Sequence, residues 1–235
     1  MAAYVHTTLI VEGNAEKLDE FIRMAAGKRG EALSFQKIAP IERRGNGDLL
    51  TQLKKLWGTT TDAQDVEFTR ISPERAVIFF ETASTFPHAI IERLVDLFDG
   101  LNFRGHFSIE TGGLFGVFNG KQAESATDID LRLAPEEKTL LNSMPAIQSY
   151  ISLVAELESA GRSLTSQGFD RKGGIKAEVI GPKGSEATLI LGADGRVAKI
   201  NNVQGNNIAR LIALESFQTT EPRQQTNLQP PRHPK

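Results

Sequence analysis

The strongest constraint on the fold is an alternation of strand-like and helix-like segments over residues 1–120. Residues 5–12 are rich in Val, Ile and Thr, which favour a strand. Asn14 is a good N-cap for a helix predicted over residues 15–26, whose apolar residues recur at helical spacing. The later segments predict strands over 32–38, 66–72, 75–82, 103–110 and 114–118, and helices over 49–57 and 88–98.

Two main helices are therefore interleaved with strands whose apolar residues alternate. One antiparallel sheet with its helices on one face satisfies this pattern. The predicted fold class is α+β. Within that class, the order of elements predicts a decorated split βαβ, or ferredoxin-like, sandwich for residues 1–122.

The second half of the chain predicts a separate, smaller α+β domain over residues 134–218. The composition turns polar at 122–132, where the domain boundary is expected. Beyond it, the sequence predicts two helices (137–142 and 145–160), three short strands (175–180, 187–191 and 197–200) and a last helix (207–217). Residues 219–235 contain four prolines and few apolar side chains, so the sequence predicts a disordered tail.

Charge and cysteine usage narrow the class of partner and the compartment. The net charge is −2, and residues 221–235 carry three basic residues against one acidic residue, so the preceding body carries −4. An acidic body does not favour binding along a phosphate backbone. The chain has no cysteine, which excludes disulfides and thiolate chemistry and fits a reducing compartment. No signal peptide or membrane span is recognisable, so the expected location is the cytoplasm.

One loop stands out as a candidate binding surface. It holds the only tryptophan, Trp57, followed by Gly58 and a polar run between a predicted helix and a predicted strand. A large aromatic residue is mostly buried, so a structural role is the main interpretation for the indole. The polar residues that follow fit a recognition surface or a plain turn equally well. The candidate loop residues are Trp57, Thr59, Thr60, Thr61, Asp62 and Asp65.

A wider set of motifs carries a family resemblance. The motifs are Thr8-Leu9-Ile10-Val11-Glu12-Gly13, Leu33-Ser34-Phe35, Ile38-Ala39-Pro40, Trp57-Gly58-Thr59 with Asp62-Ala63, Phe68-Thr69, Ile71-Ser72-Pro73, Ile109-Glu110-Thr111-Gly112 and Phe115-Gly116. With them, the first half of the chain resembles the YubB-type ferredoxin-like domain of plasmid, phage and mobile-element accessory proteins. Members of that family usually have Lys-Trp where this chain has Thr60-Thr61. The resemblance implies a ferredoxin-like fold and a mobile-element setting, and it implies no established activity.

A second interpretation is single-stranded nucleic-acid binding by the sheet. The run Arg104-Gly105-His106-Phe107 is similar to part of the aromatic RNA-binding strand of RNA-recognition motifs. Outward-facing aromatic rings could stack bases even without strong positive charge. The competing interpretation is that the phenylalanines fill the core. The candidate residues for this function are Phe68, Phe79, Arg104, His106 and Phe107.

A third interpretation is an enzyme that uses the acidic loop with a histidine. It requires Asp62, Asp65 and His106 to converge in one cleft. Asp62, Asp65 and Glu67 lack the glycine and the length of a calcium loop. The four histidines are scattered, without the spacing of metal ligands, although a pair between His106 and Glu110 is conceivable. The sequence therefore predicts no metal site and no cofactor, and it argues mildly against enzymatic chemistry.

The leading hypothesis is a non-enzymatic binding protein that presents its sheet and the Trp57–Asp65 loop to a macromolecular partner, chiefly a protein. Interference with a host or competitor system is one purpose that fits the family setting. The hypothesis depends on a sheet that is covered by helices on one face and open on the other. The oligomeric state, the identity of the partner and the role of the second domain do not follow from the sequence.

Overall fold

A computed structural model describes residues 3–28, 30–41, 48–109, 113–127, 138–159, 163–169, 173–180 and 186–202. The strands in these ranges are β1 (Tyr4–Gly13), β2 (Gln64–Ser72), β3 (Arg75–Ala83), β4 (Leu101–Ile109), β5 (Leu114–Asn119), β6 (Gln122–Thr127), β7 (Ser163–Phe169), β8 (Ile175–Ile180), β9 (Glu186–Leu191) and β10 (Val197–Asn202). The helices are α1 (Ala15–Ala25), α2 (Phe35–Ile38), α3 (Leu49–Trp57), α4 (His88–Leu97), α5 (Thr139–Asn142) and α6 (Pro145–Ser159).

The α+β prediction is confirmed, and the first six strands form one antiparallel sheet in the order β2-β3-β1-β4-β5-β6. Strand β1 lies at its centre, where Thr8 pairs with Phe79 of β3 and with His106 of β4. Because directly paired residues share a face of a sheet, this register fixes which side chains point to which side.

The first face of the sheet is covered by α1 to α4, as the apolar spacing of the two longer helices predicts. Asn14 caps α1 as expected, because its Oδ1 accepts hydrogen bonds from the backbone N–H groups of Glu16 and Lys17. The covering helices and the sheet share one apolar core. Its members include Val5, Leu9, Phe21, Phe35, Trp57, Ile78, Phe80, Ile91, Leu94 and Phe103.

The second face is covered at its β5–β6 end by α5, α6 and β7, so the expectation that this face of the sheet is open is wrong there. Phe115, Val117 and Ala126 project from this face into a second core. The ring of Phe115 packs 5.6 Å from that of Tyr150 on α6 and 5.2 Å from that of Phe169 on β7. Two faces of one sheet therefore support two different cores. The sheet is not open to a partner at this end.

The second core is closed by a four-stranded antiparallel sheet in the order β10-β9-β8-β7. Three of its strands were predicted, and β7 was not. Strand β6 also escaped prediction, and it lies across the boundary expected at 122–132. Both strands consist largely of Ser, Thr, Gln and Ala, so their sequences lack the apolar alternation that indicates a strand. The division into two domains stays a prediction.

One further prediction is wrong in detail. The apolar stretch at 32–38 forms the single-turn helix α2 rather than a strand. Helix α3 forms as predicted and buries Leu53 and Trp57, whereas Leu49 and Leu56 are 45% and 41% exposed. The predicted helix at 207–217, the tail at 219–235 and Glu110 lie outside the described residues. None of the described helices combines the length and apolar character required to cross a bilayer.

Candidate functional site

The indole of Trp57 is part of the core rather than of the surface. It lies at the C-terminal end of α3 with 5% of its surface exposed. Its Nε1–H donates a 2.8 Å hydrogen bond to the carbonyl of Ala39, and its ring meets Phe35 edge-on at 5.9 Å. Gly58 ends the helix in the left-handed region, with a φ of 78°. The buried indole joins α3 to the segment after α2 and is not accessible to a partner.

The three threonines of the loop all bond to one residue at the end of β3. The hydroxyls of Thr59 and Thr60 donate to the carbonyl of Ala83 at 2.6 and 3.5 Å. The backbone N–H of Ala83 donates to the hydroxyl of Thr61 at 3.0 Å. These bonds satisfy the backbone C=O and N–H groups of Ala83, so the hydroxyls hold the loop against the end of β3.

The carboxylate of Asp62 caps the first turn of α2. Its oxygens accept hydrogen bonds from the hydroxyl of Ser34 at 3.0 Å and from the N–H groups of Phe35 and Gln36 at 2.5 and 3.4 Å. The N–H of Ala63 adds a fourth bond at 2.8 Å. The side chain of Ser34 does not cap α2, although Ser34 is its N-cap residue. Asp62, which is 27 residues away from Phe35 in the sequence, provides this cap instead.

Asp62 also lines a shallow cavity of about 500 Å³ on the α1–α2 side. The wall carries charges of both signs, from Lys28, Glu31 and Lys37. Since the carboxylate of Asp62 is already committed to the four bonds above, the cavity holds no convergent set of polar groups aimed at a ligand.

Asp65 differs from the rest of the loop because it is exposed. It has a φ of 46° and lies where the pairing of β2 with β3 is irregular, between Gln64 and Glu67. Asp and Asn tolerate this left-handed conformation better than most residues. Of the six candidate loop residues, Asp65 is the one whose side chain faces solvent at the start of β2.

The residues of the nucleic-acid interpretation lie on both faces of the sheet. Phe79 and His106 are paired through Thr8 on the second face. Phe68 and Phe107 belong to the first face. Phe68 pairs with Ile78, and the ring of Phe107 stacks on that of Phe86 at 4.0 Å. The four rings therefore cannot form one stacking surface.

Arg104, the cationic member of that set, is held by an acidic neighbour. Its Nε and Nη2 donate to the carboxylate oxygens of Glu12 at 3.0 and 3.2 Å. The hydrogen bond from Arg104 is the main cause that lowers the pKa of Glu12. Burial opposes it to a smaller extent, and the charges of Arg104 and Arg75 add to the lowering. This ion pair leaves Arg104 poorly disposed toward a phosphate.

The residues of the enzyme interpretation do not meet. Asp62 caps α2 on the first side of the sheet, and Asp65 is exposed at the start of β2. His106 is buried on the second face, where its ring lies 5.0 Å from that of Phe169. In the part of the chain that the structure describes, no three acidic or histidine side chains are grouped to hold a metal ion.

The outer edge of β2 is a further candidate surface that was not predicted as a whole, although Asp65 and Phe68 on it were candidates for other roles. Seven of its nine residues are exposed, and the strand ends the six-stranded sheet. Phe68 and Ile71 are 36% and 57% exposed; Phe68 lies opposite Ile78 on the first face, and Ile71 lies in the irregular pairing between Arg70 and Ser72. A signal was present in the sequence, because Glu67 and Arg70 fall on alternate sides and leave neither face wholly apolar, which is typical of an edge strand.

No protein-family model, curated protein or solved structure matches this chain.

Proposed function

We propose that this chain is a non-enzymatic binding protein that takes a protein partner on the outer edge of β2. The observation that carries the proposal is the exposure of this strand at the end of the sheet, with the large apolar side chains of Phe68 and Ile71 exposed on it. The Trp57–Asp65 loop, the original candidate surface, then becomes the support that joins α3 and β3 to the start of this strand.

An edge strand binds proteins through its backbone. Its unpaired N–H and C=O groups add a further strand from a partner, and the side chains alternate between the two faces to give specificity. Phe68 on the first face and Ile71 near the end of the strand would each meet a partner side chain. Arg70 is held by an ion pair with Asp19 of α1, which fixes the strand against the helix layer.

The arrangement of β1 to β4 supports a ferredoxin-like fold for the first unit. Strands β3 and β4 are both antiparallel to β1, which lies between them, and α4 connects them. That arrangement is a split βαβ unit, with β2 as the outer strand. It is the fold that the YubB-type resemblance implies. On the basis of that resemblance, we propose that the chain is a cytoplasmic accessory protein of a mobile element and that it acts on a host or competitor protein.

Contact of β2 with a protein can be tested by site-specific photocrosslinking in the cells that produce the chain. A photoreactive amino acid at position 69 should crosslink a protein, because Thr69 is exposed in the middle of β2. The same group at position 97 is the control, since Leu97 is 43% exposed on α4, away from the edge. Loss of the crosslink in Phe68→Lys would support strand addition. The absence of any protein crosslinked at position 69 would refute the proposal.

A further inference from the structure

We infer that the strand received by β2 is β2 of a second copy of this chain, paired antiparallel about a two-fold axis through Phe68. This inference rests on the proposed function and names the partner at the edge of β2, so a host or competitor protein would contact the dimer at another surface. The two sheets would then form one continuous sheet of twelve strands, closed by an interface in which the same patch serves both subunits.

The length of β2 favours this register. The strand runs from Gln64 to Ser72, so its midpoint is Phe68, and a two-fold axis at that residue pairs the whole strand with its copy. When two copies extend one sheet, residues that pair across the two-fold axis must lie on the same face of that sheet. The axis must therefore pass through a residue, because only then do the paired residues differ by an even number of positions. An axis between two residues would bring side chains of opposite faces together.

The charges of β2 select among the allowed registers. With the axis at Phe68, the opposing pairs are Phe68 with itself, Glu67 with Thr69, Val66 with Arg70, and Asp65 with Ile71. None of these pairs brings like charges together, and the two phenylalanines form a cross-strand aromatic pair.

The neighbouring registers are less favourable. An axis at Glu67 or at Arg70 sets a charge against its own copy, and an axis at Val66 sets Asp65 against Glu67. Like charges directly opposite each other are destabilising. An axis at Thr69 avoids this repulsion but sets Phe68 against Arg70 and loses the pair of phenylalanines. The register at Phe68 therefore combines the aromatic pair with the absence of repulsion, within the stretch that pairs regularly with β3.

Irregularities in the pairing with β3 mark the ends of the contact. They lie between Gln64 and Glu67 and between Arg70 and Ser72, whereas the pairing from Glu67 to Arg70 is regular. Bulges twist a strand away from a flat template. They would limit indiscriminate addition of strands at the two ends, while the centre around Phe68 remains suited to pairing.

The absence of cysteine makes this register directly measurable. Single variants Val66→Cys, Phe68→Cys and Arg70→Cys, with Leu97→Cys as the control, are oxidised under mild conditions. The Phe68→Cys subunits should crosslink about tenfold faster than the others, because only residues on the axis fall within the Cα separation of about 4–7 Å that a disulfide needs. Positions 66 and 70 lie about 13 Å from their own copies, at ~3.3 Å per residue over four residues. A mixture of Val66→Cys and Arg70→Cys should form the mixed crosslink.

The unmodified chain should sediment as a dimer that Phe68→Lys converts to a monomer with unchanged circular dichroism, whereas Leu97→Lys should remain dimeric. A monomeric native chain, or crosslinking of Phe68→Cys no faster than that of Leu97→Cys, would overturn the inference. If the native chain is monomeric but position 69 crosslinks a different protein in cells, the second copy is wrong and the proposed function stands. If position 69 crosslinks no protein, the proposed function fails as well.

Discussion

The most direct test of the loop is the substitution Asp62→Ala, because it separates a supporting role from a binding role. The carboxylate receives four hydrogen bonds, three of them from backbone N–H groups. Hydrogen bonds to a charged group contribute about 1.5–3 kcal/mol each, but Asp62 is only half-buried, so water replaces part of what is lost. We expect Asp62→Ala to lower the free energy of unfolding by roughly 2–4 kcal/mol.

The single tryptophan provides the assay. Trp57 lies in the same core as Phe35, the residue whose N–H is capped by Asp62, so its emission reports unfolding of the affected region. With a slope of about 2 kcal/mol per molar urea, the expected loss lowers the midpoint of urea unfolding by roughly 1–2 M. Asp62→Asn, which retains one acceptor oxygen, should have an intermediate midpoint.

Asp65→Asn is the matched control for Asp62→Ala. Asp65 is exposed, and asparagine tolerates its φ of 46°, so the free energy of unfolding should change by less than about 0.5 kcal/mol. An Asp62→Ala protein with the urea midpoint of the native chain would refute the assignment of Asp62 as a cap. An equal shift in Asp65→Asn would show that the loss of a loop charge, rather than of the cap, sets stability.

Three further predictions concern packing, a buried hydrogen bond and acid stability. Gly116→Ala should lower the free energy of unfolding, measured with urea, by about 1–3 kcal/mol, because a Cβ there would overlap the ring of Phe107. Gly168→Ala, which has open space around it, should leave the free energy of unfolding nearly unchanged. Trp57→Phe should cost about 1–3 kcal/mol by thermal unfolding, since it leaves the carbonyl of Ala39 without its buried donor; a stability equal to that of the native chain would contradict this. Arg104→Gln should raise the pKa of Glu12 in an NMR titration. Because the pKa of Glu12 is lowered in the folded chain, its ionisation stabilises the fold above the usual pKa of 4.5, and this stabilisation is lost as the pH falls through the folded pKa. The variant should therefore be less stable than the native chain at neutral pH, and its free energy of unfolding should vary less with pH in the acid range.

The elements that the sequence predicts well are those whose burial is local to the segment. The strands β1 and β3 are short segments rich in Val, Ile, Phe and Thr, so their composition alone predicts a strand. Helix α1 was predicted with its cap because Asn14 and the apolar spacing lie within a few residues of each other. Such signals require no knowledge of distant parts of the chain.

The elements that the sequence did not predict depend on distant partners. Strand β6 has no apolar alternation and forms because it pairs along its full length with β5. Its Glu124 in turn accepts hydrogen bonds from the N–H groups of Leu140 and Leu141, which begin α5. Neither contact can be recognised from the sequence of the six strand residues alone. Its polar composition was therefore read as a boundary.

The same reason explains why the role of the loop could not be derived from sequence. Thr59, Thr60 and Thr61 look like surface hydroxyls until the fold brings Ala83 to them. Their partners are backbone atoms, which every residue type carries, so no motif encodes the contact. The polar run could therefore be recognised as unusual, but its role depended on topology.

The two edges of the six-stranded sheet differ in a way that favours β2 as the site of association. At the other edge, β6 consists of Gln, Ala, Glu, Ser, Ala and Thr, so a strand added there would bury little apolar surface. Its Glu124 is already committed to the start of α5. At β2, by contrast, Phe68 and Ile71 are 36% and 57% exposed. An edge that retains two exposed large apolar side chains is more easily explained by a partner than by the stability of the isolated chain.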